Sequence, residues 1–262
     1  MLDAGLNAGA DTGLRVALTT PRILIREVLA GLVVGLALIP EAISFSIIAG
    51  VDPKVGLFSA FIMAVTIAFV GGRPAMISAA TGAVALVVAP IAREYGMDYL
   101  IATVLLAGVF QIVLAVLGVA KLMRFIPRSV MVGFVNSLAI LIFSAQIPEL
   151  IDVPWLVYPL VALGIVLLVS FPKVTKAIPA PLVSIVVVTV LVVVCSFSVP
   201  TVGDKGELPR SLPELFIPQV PWTVETLQII APVAIAMALV GLMESLMTAK
   251  LVDEITDTHS NK

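Results

Sequence analysis

Long apolar runs, interrupted by short polar breaks, set the pattern of the whole chain. A bilayer core about 30 Å thick needs about 20 mostly apolar residues to cross it as a helix. Eight stretches meet that need: 27–49, 55–71, 78–93, 98–120, 129–147, 154–171, 181–199 and 227–250. The breaks combine helix stoppers with charge. Val51-Asp52-Pro53 reads as a turn, and Gly71-Gly72-Arg73-Pro74, Arg93-Glu94-Tyr95-Gly96, Ile147-Pro148-Glu149 and Phe171-Pro172-Lys173 close further segments. Lys121–Ile126, before Pro127 and Arg128, reads as a stretch lying in the interface. The only long polar connection is Pro200–Val220, with four prolines, placed on one membrane face. The pattern predicts an all-α membrane protein.

Composition turns that pattern into a statement about solvent. Hydrophobic residues make up 60% of the chain and charged ones 12%, where a soluble domain carries about a quarter charged residues. The mean hydropathy is +1.18. Too few polar residues exist to cover a water-facing surface, so the chain's partner is the lipid bilayer. A net charge of −2 offers no basic excess for nucleic acid. The single cysteine, Cys195, lies in an apolar run, makes no intrachain disulfide and reads as a small buried residue.

Charge position gives direction. With the N-terminus in the cytoplasm and eight alternating spans, 11 of the 15 Lys and Arg fall on the cytoplasmic side: Arg15, Arg22, Arg26, Arg73, Lys121, Arg124, Arg128, Lys173, Lys176, Lys250 and Lys262. Only Lys54, Arg93, Lys205 and Arg210 fall opposite. That bias follows the positive-inside rule and requires an even number of spans. The first residues lack the basic start, apolar stretch and cleavage site of a signal peptide. Residues 1–26 and 251–262 are therefore expected to be cytoplasmic tails around a transport domain over 27–250 of a multi-pass cell-membrane protein.

Three segments carry chemistry. In the first, Pro40 removes a backbone donor and is expected to disrupt the helix in mid-span. Glu41 follows, with Ser44 and Phe45 one turn on, on the same side. A carboxylate at membrane depth is costly and marks a functional site, unless it only serves backbone groups freed by the proline. In the third, Ser78-Ala79-Ala80-Thr81-Gly82-Ala83 is small and polar, and the strongly apolar part after it is too short to span alone. It predicts an extended stretch leading into a half-helix that begins near Thr81. Such an N-terminus suits an anion; the same residues would equally serve a tight helix crossing. In the eighth, Glu244 sits one turn before Thr248 on one face, where carboxylate and hydroxyl could hold a proton or a sodium ion. Gln111, Asn136 and Gln146 read as helix-to-helix hydrogen bonders, and the sixth and seventh spans as scaffold. The single His259 lies in the tail, so no intramembrane histidine serves as base or ligand, and no cofactor or metal site is read.

Leu38–Ile43 and Leu242–Leu246 echo each other with the glutamates matched. Seven spans separate them, and an odd repeat inverts its second copy, as transporters commonly do. The run EVLAGLVVGLALIPEAISFSIIAGVDPKVGLFSA (27–60) resembles the first two helices of the SulP family of sulfate permeases and anion exchangers. So do GGRPAMISAATGAVALVVAP (71–90), KLMRFIPRSVMVGF (121–134) and ALVGLMESLMTAKLVDEITDT (238–258).

That resemblance implies fourteen spans in two inverted repeats of seven, with the anion between the N-termini of helices 3 and 10. Carried over, Glu41 and Phe45 would line the site from helix 1 and Ser78, Thr81 and Gly82 from helix 3. Glu244 and Thr248 would couple transport to H+ or Na+. It also implies a small inorganic anion as substrate, sulfate first and bicarbonate or a dicarboxylate behind it, with symport or exchange open and a homodimer admitted. The sequence stops at Lys262, just past the eighth segment, so the expectation is a fragment or truncated form lacking helices 9 to 14 and a STAS domain. A nucleobase carrier of the same plan and a non-transporting membrane remnant are the alternatives. A membrane enzyme has no motif to support it.

Overall fold

The computed structural model describes residues 20–70, 76–119, 128–175, 178–213 and 216–256. The Gly71–Pro74 break, the interfacial stretch 121–126, Lys176 and His259 lie outside the described residues, as does most of the N-terminal tail. Among the described residues seven α-helices follow one another: α1 (Pro21–Ala49), α2 (Pro53–Val70), α3 (Gly82–Val116), α4 (Arg128–Gln146), α5 (Val157–Val174), α6 (Ala180–Val194) and α7 (Val224–Thr256). Six described helices are long and apolar enough to cross a membrane.

The eight expected segments are all present. α3 holds two of them, because Gly96 breaks it with φ 82° and ψ −170°, a conformation that glycine adopts without a Cβ clash. The shorter apolar helix is α6, 15 residues or about 22 Å at 1.5 Å per residue. It ends five residues before the expected 199. Phe197 donates to the Val192 carbonyl and Ser196 to that of Val193, closing a Schellman motif with Ser196 at φ 53°. A serine in that left-handed position is strained. Ser196→Gly is expected to raise the unfolding temperature in detergent slightly, by a stabilisation of about 1 kcal/mol or less.

α1 corrects the expectation at Pro40. The helix runs unbroken from Pro21 to Ala49, with the proline inside it. One N–H to the Leu36 carbonyl is lost, and a membrane helix tolerates that loss. The helix also begins six residues before the expected 27. Its end is another Schellman motif, with Gly50 at φ 79° donating to Ile47 and Val51 donating to Ser46.

The chain divides into two compact units, one of residues 1–41 and 152–200, the other of 42–151 and 201–262. In the first unit, α5 and α6 pair through small residues: Ser184 Oγ donates to the Gly164 carbonyl at 3.2 Å. Neither helix carries an ionisable side chain inside its apolar stretch, which fits the scaffold reading.

In the second unit, α3 and α7 form the principal contact. Ala107, Ala234 and Ala238 are almost fully buried there, among Leu106, Phe110 and Met237. Small side chains let two backbones approach, which drives association where lipid is as apolar as leucine. The Gln111 amide lies over Gly241, its Nε2 only 2.6 Å from where a Cβ would stand. Asn136 and Gln146 are instead exposed.

Connectors far apart in sequence meet on one face of this unit. Lys54 bridges to Glu207 at 2.7 Å, Lys205 pairs with Glu149, and Gln219 N–H donates to Asp98 at 2.7 Å. Arg93 Nη2 donates to the Ile48 carbonyl at 3.0 Å. The turns after α1, at the Gly96 break and after α4 thus share a side with the long loop, as alternating crossings demand. The Lys54 hydrogen bond holds the Glu207 carboxyl below its usual pKa. A depressed carboxylate contributes above its unfolded pKa of about 4.3 and loses that contribution as pH falls through the folded value. Hydrogen exchange over 201–210 is therefore expected to quicken below about pH 4.

Candidate functional site

Residues 76–81 are not helical, and α3 starts at Gly82. Thr81 is its N-cap, with φ −121° and ψ 152°, and its Oγ1 accepts from the Val84 N–H at 3.4 Å. Threonine before a glycine and an apolar run is a helix start signal, because its hydroxyl satisfies an otherwise orphaned donor. The half-helix expected near Thr81 thus begins at Gly82, after an extended entry. At 1.5 Å per residue the 82–95 arm is about 21 Å long, short of the roughly 30 Å core. Its N-terminus therefore opens at membrane depth.

A carboxylate meets it there. Thr81 Oγ1 donates to Glu244 Oε2 at 2.7 Å, joining α3 to α7 across 163 positions of sequence. One hydroxyl thus accepts from the half-helix and donates to the acid. Gly82, beside it, is buried, and a Cβ there would stand 2.6 Å from Ile142 Cδ1 and 3.0 Å from Phe45 Cε1. Phe45 from α1, Thr81 and Gly82 from α3, and Glu244 from α7 come together in one unit. Ser78 lies half-buried in the extended stretch before them.

Two expected residues stand apart. Thr248 does not turn to the Glu244 carboxylate: its Oγ1 donates to the Glu244 backbone carbonyl at 2.9 Å. A hydroxyl on a helix bonds readily to the carbonyl one turn back, and the spacing alone hides that choice. Glu41 is exposed and belongs to the other unit, one turn before Phe45 along α1. Ile142 is the contact that sequence reasoning missed. It sits in an unremarked apolar helix, and no pattern distinguishes it from its neighbours. Among the described residues no group of three or more His, Cys, Asp or Glu is placed to hold a metal.

Among the described residues the chain is all-helical, and a half-helix whose N-terminus meets a carboxylate is a device that secondary transporters use. The chain belongs to the sulfate permease family, whose model matches residues 24–155 and 151–262. It is 53% identical over 237 residues to "Putative sulfate transporter YbaR" of Bacillus subtilis, covering 90% of this chain and 50% of that protein. It is 27% identical over 271 residues to the bicarbonate transporter BicA of Picosynechococcus sp., covering 90% of this chain and 47% of that one. The fold is similar to the solved transmembrane domain of a cyanobacterial BicA, with a TM-score of 0.77 at 23% identity, over 92% of this chain and 68% of that one. The chain spans about half the length of the curated relatives it matches.

Proposed function

We propose that the protein moves a small inorganic anion across the cell membrane by secondary active transport, with sulfate as substrate. The observation that carries this reading is the Thr81–Glu244 hydrogen bond at the α3 N-terminus. A helix N-terminus supplies backbone N–H donors and a partial positive charge for an oxyanion. A carboxylate one hydrogen bond away repels that anion while it is charged. Neutralising Glu244, by a proton or by a bound sodium ion, removes the repulsion. Anion and coupling cation then favour each other's binding, which is what symport requires.

In this reading Phe45 and Gly82 shape the anion's end of the site, Ser78 donates to it, and Thr81 ties the half-helix to Glu244. Thr248 serves the coupling ion through the α7 backbone. The N-terminus faces the cytoplasm, as the charge bias supports. Kinship at 53% identity to the protein named "Putative sulfate transporter YbaR" favours sulfate over its competitors. Bicarbonate is the second reading, supported by the likeness to BicA.

Competition decides among substrates. Labelled sulfate uptake into vesicles holding the protein is expected to fall with excess unlabelled sulfate and not with uracil. Uptake of labelled bicarbonate without uptake of labelled sulfate would replace sulfate with the second reading, and uptake of labelled uracil alone would move the protein to nucleobases.

A further inference from the structure

A cavity of about 280 Å³ lies in the second unit, away from the Thr81–Glu244 pair. Ile48, Leu86, Ala89, Arg93, Ala145 and Glu149 line it. At about 30 Å³ per water, it has room for a tetrahedral oxyanion with some of its hydration. Three helices form it with matching stripes. On α3, Gly82, Leu86, Ala89 and Arg93 recur at four-, three- and four-residue steps, one face of a helix. Ile142, Ala145 and Glu149 do the same along α4 and its continuation, and Phe45 and Ile48 on α1. The stripes run from Arg93, at the face bearing the long loop, to Gly82, beside the half-helix N-terminus, about 16 Å along α3. Phe45 and Ile142 close on Gly82 at the inner end.

The charge of this cavity is also set. Arg93 spends one N–H on the Ile48 carbonyl, and its stem packs over Gly50, Cγ lying 2.8 Å from where a Cβ would stand. That fixes the guanidinium while its other donors stay available. Glu149, the acid in the lining, pairs with Lys205. With Glu149 offset by Lys205, Arg93 is left as the uncompensated charge of the lining, which attracts anions.

We infer that this cavity is a vestibule for the transported anion, with Arg93 as its attracting charge and Phe45 and Ile142 as the seal between it and the half-helix. As an access path it rests on the anion-transport reading; as an anion-attracting recess it is testable without flux.

Ala145→Cys in a Cys195→Ser background puts a single thiol in the lining. The probes are methanethiosulfonates bearing a sulfonate or a trimethylammonium group, each rate divided by that of a free thiol. The sulfonate reagent is expected to react about threefold faster or more, and millimolar sulfate to slow it. Arg93→Gln should abolish the preference, Arg93→Lys should keep it, and Glu149→Gln, which leaves Arg93 in place, should increase it. No charge preference, a preference indifferent to Arg93 and Glu149, or no reaction with either reagent overturns the vestibule. Sulfate flux measured on the same vesicles separates the two ideas. Preference without flux sinks the transport reading alone, and flux without preference sinks the vestibule alone.

Discussion

Glu244→Gln is expected to lower gradient-driven sulfate uptake about 10- to 100-fold, the range of a typical coupling between two sites. Glutamine keeps an acceptor oxygen for Thr81, so the 2.7 Å hydrogen bond and the cap on Val84 can persist. It cannot take up a proton or balance a cation. Folding should survive while coupling is lost, and exchange of sulfate for sulfate without a gradient should suffer less than net uptake. The pH dependence of uptake should flatten as well. Thr81→Ser, which keeps the hydroxyl, should retain most activity. Thr81→Val loses cap and donor together and adds a stability loss of about 1 kcal/mol. Unchanged uptake with unchanged pH dependence in Glu244→Gln would remove Glu244 from the mechanism.

The largest stability effect is expected at Gly56 on α2. A Cβ there would collide with Ser46 Oγ and with the backbone carbonyl of Ala42. Ser46 is itself buried and bonded to that carbonyl at 2.8 Å. Neither obstacle is the loose end of a long side chain, so α1 and α2 must separate to admit even one methyl. Gly56→Ala should cost about 3 kcal/mol, the upper end of ordinary overpacking. Gly35 on α1 is the control, with nothing within 4 Å of an added Cβ. Gly35→Ala should be neutral or stabilising by up to about 1 kcal/mol, because alanine loses less backbone entropy in a helix. Thermal unfolding of both variants in the same detergent checks the contrast, and equal effects would contradict the close crossing.

The number and order of the helices were legible because each needs a long apolar run, and run length is visible residue by residue. Their ends were less so. α1 starts six residues before the expected 27, and α6 stops early because Ser196 turns left-handed. Local hydrogen bonds decided the α6 end, and several nearby residues could have made them. At the site, Thr81 and Glu244 stood out one at a time, as a polar helix start and a charge in an apolar helix. Their bond could not be read, since nothing in either segment specifies its partner. Thr248 shows the opposite failure: the spacing was right, but the hydroxyl bonds the backbone instead. Ile142 was invisible because one isoleucine among many becomes special only when Gly82 lies beneath it. Arg93 reads in sequence as a loop charge, and only the Ile48 carbonyl and Gly50 reveal it as a fixed one.

The most direct test of the central claim is the accumulation of labelled sulfate in sealed vesicles holding the protein, under an imposed inward proton gradient and, separately, an inward sodium gradient. Internal sulfate is predicted to rise above the external concentration under one of them and to collapse when that gradient is dissipated. Sulfate that never exceeds equilibrium under either gradient would contradict a Glu244-coupled anion site at the α3 N-terminus.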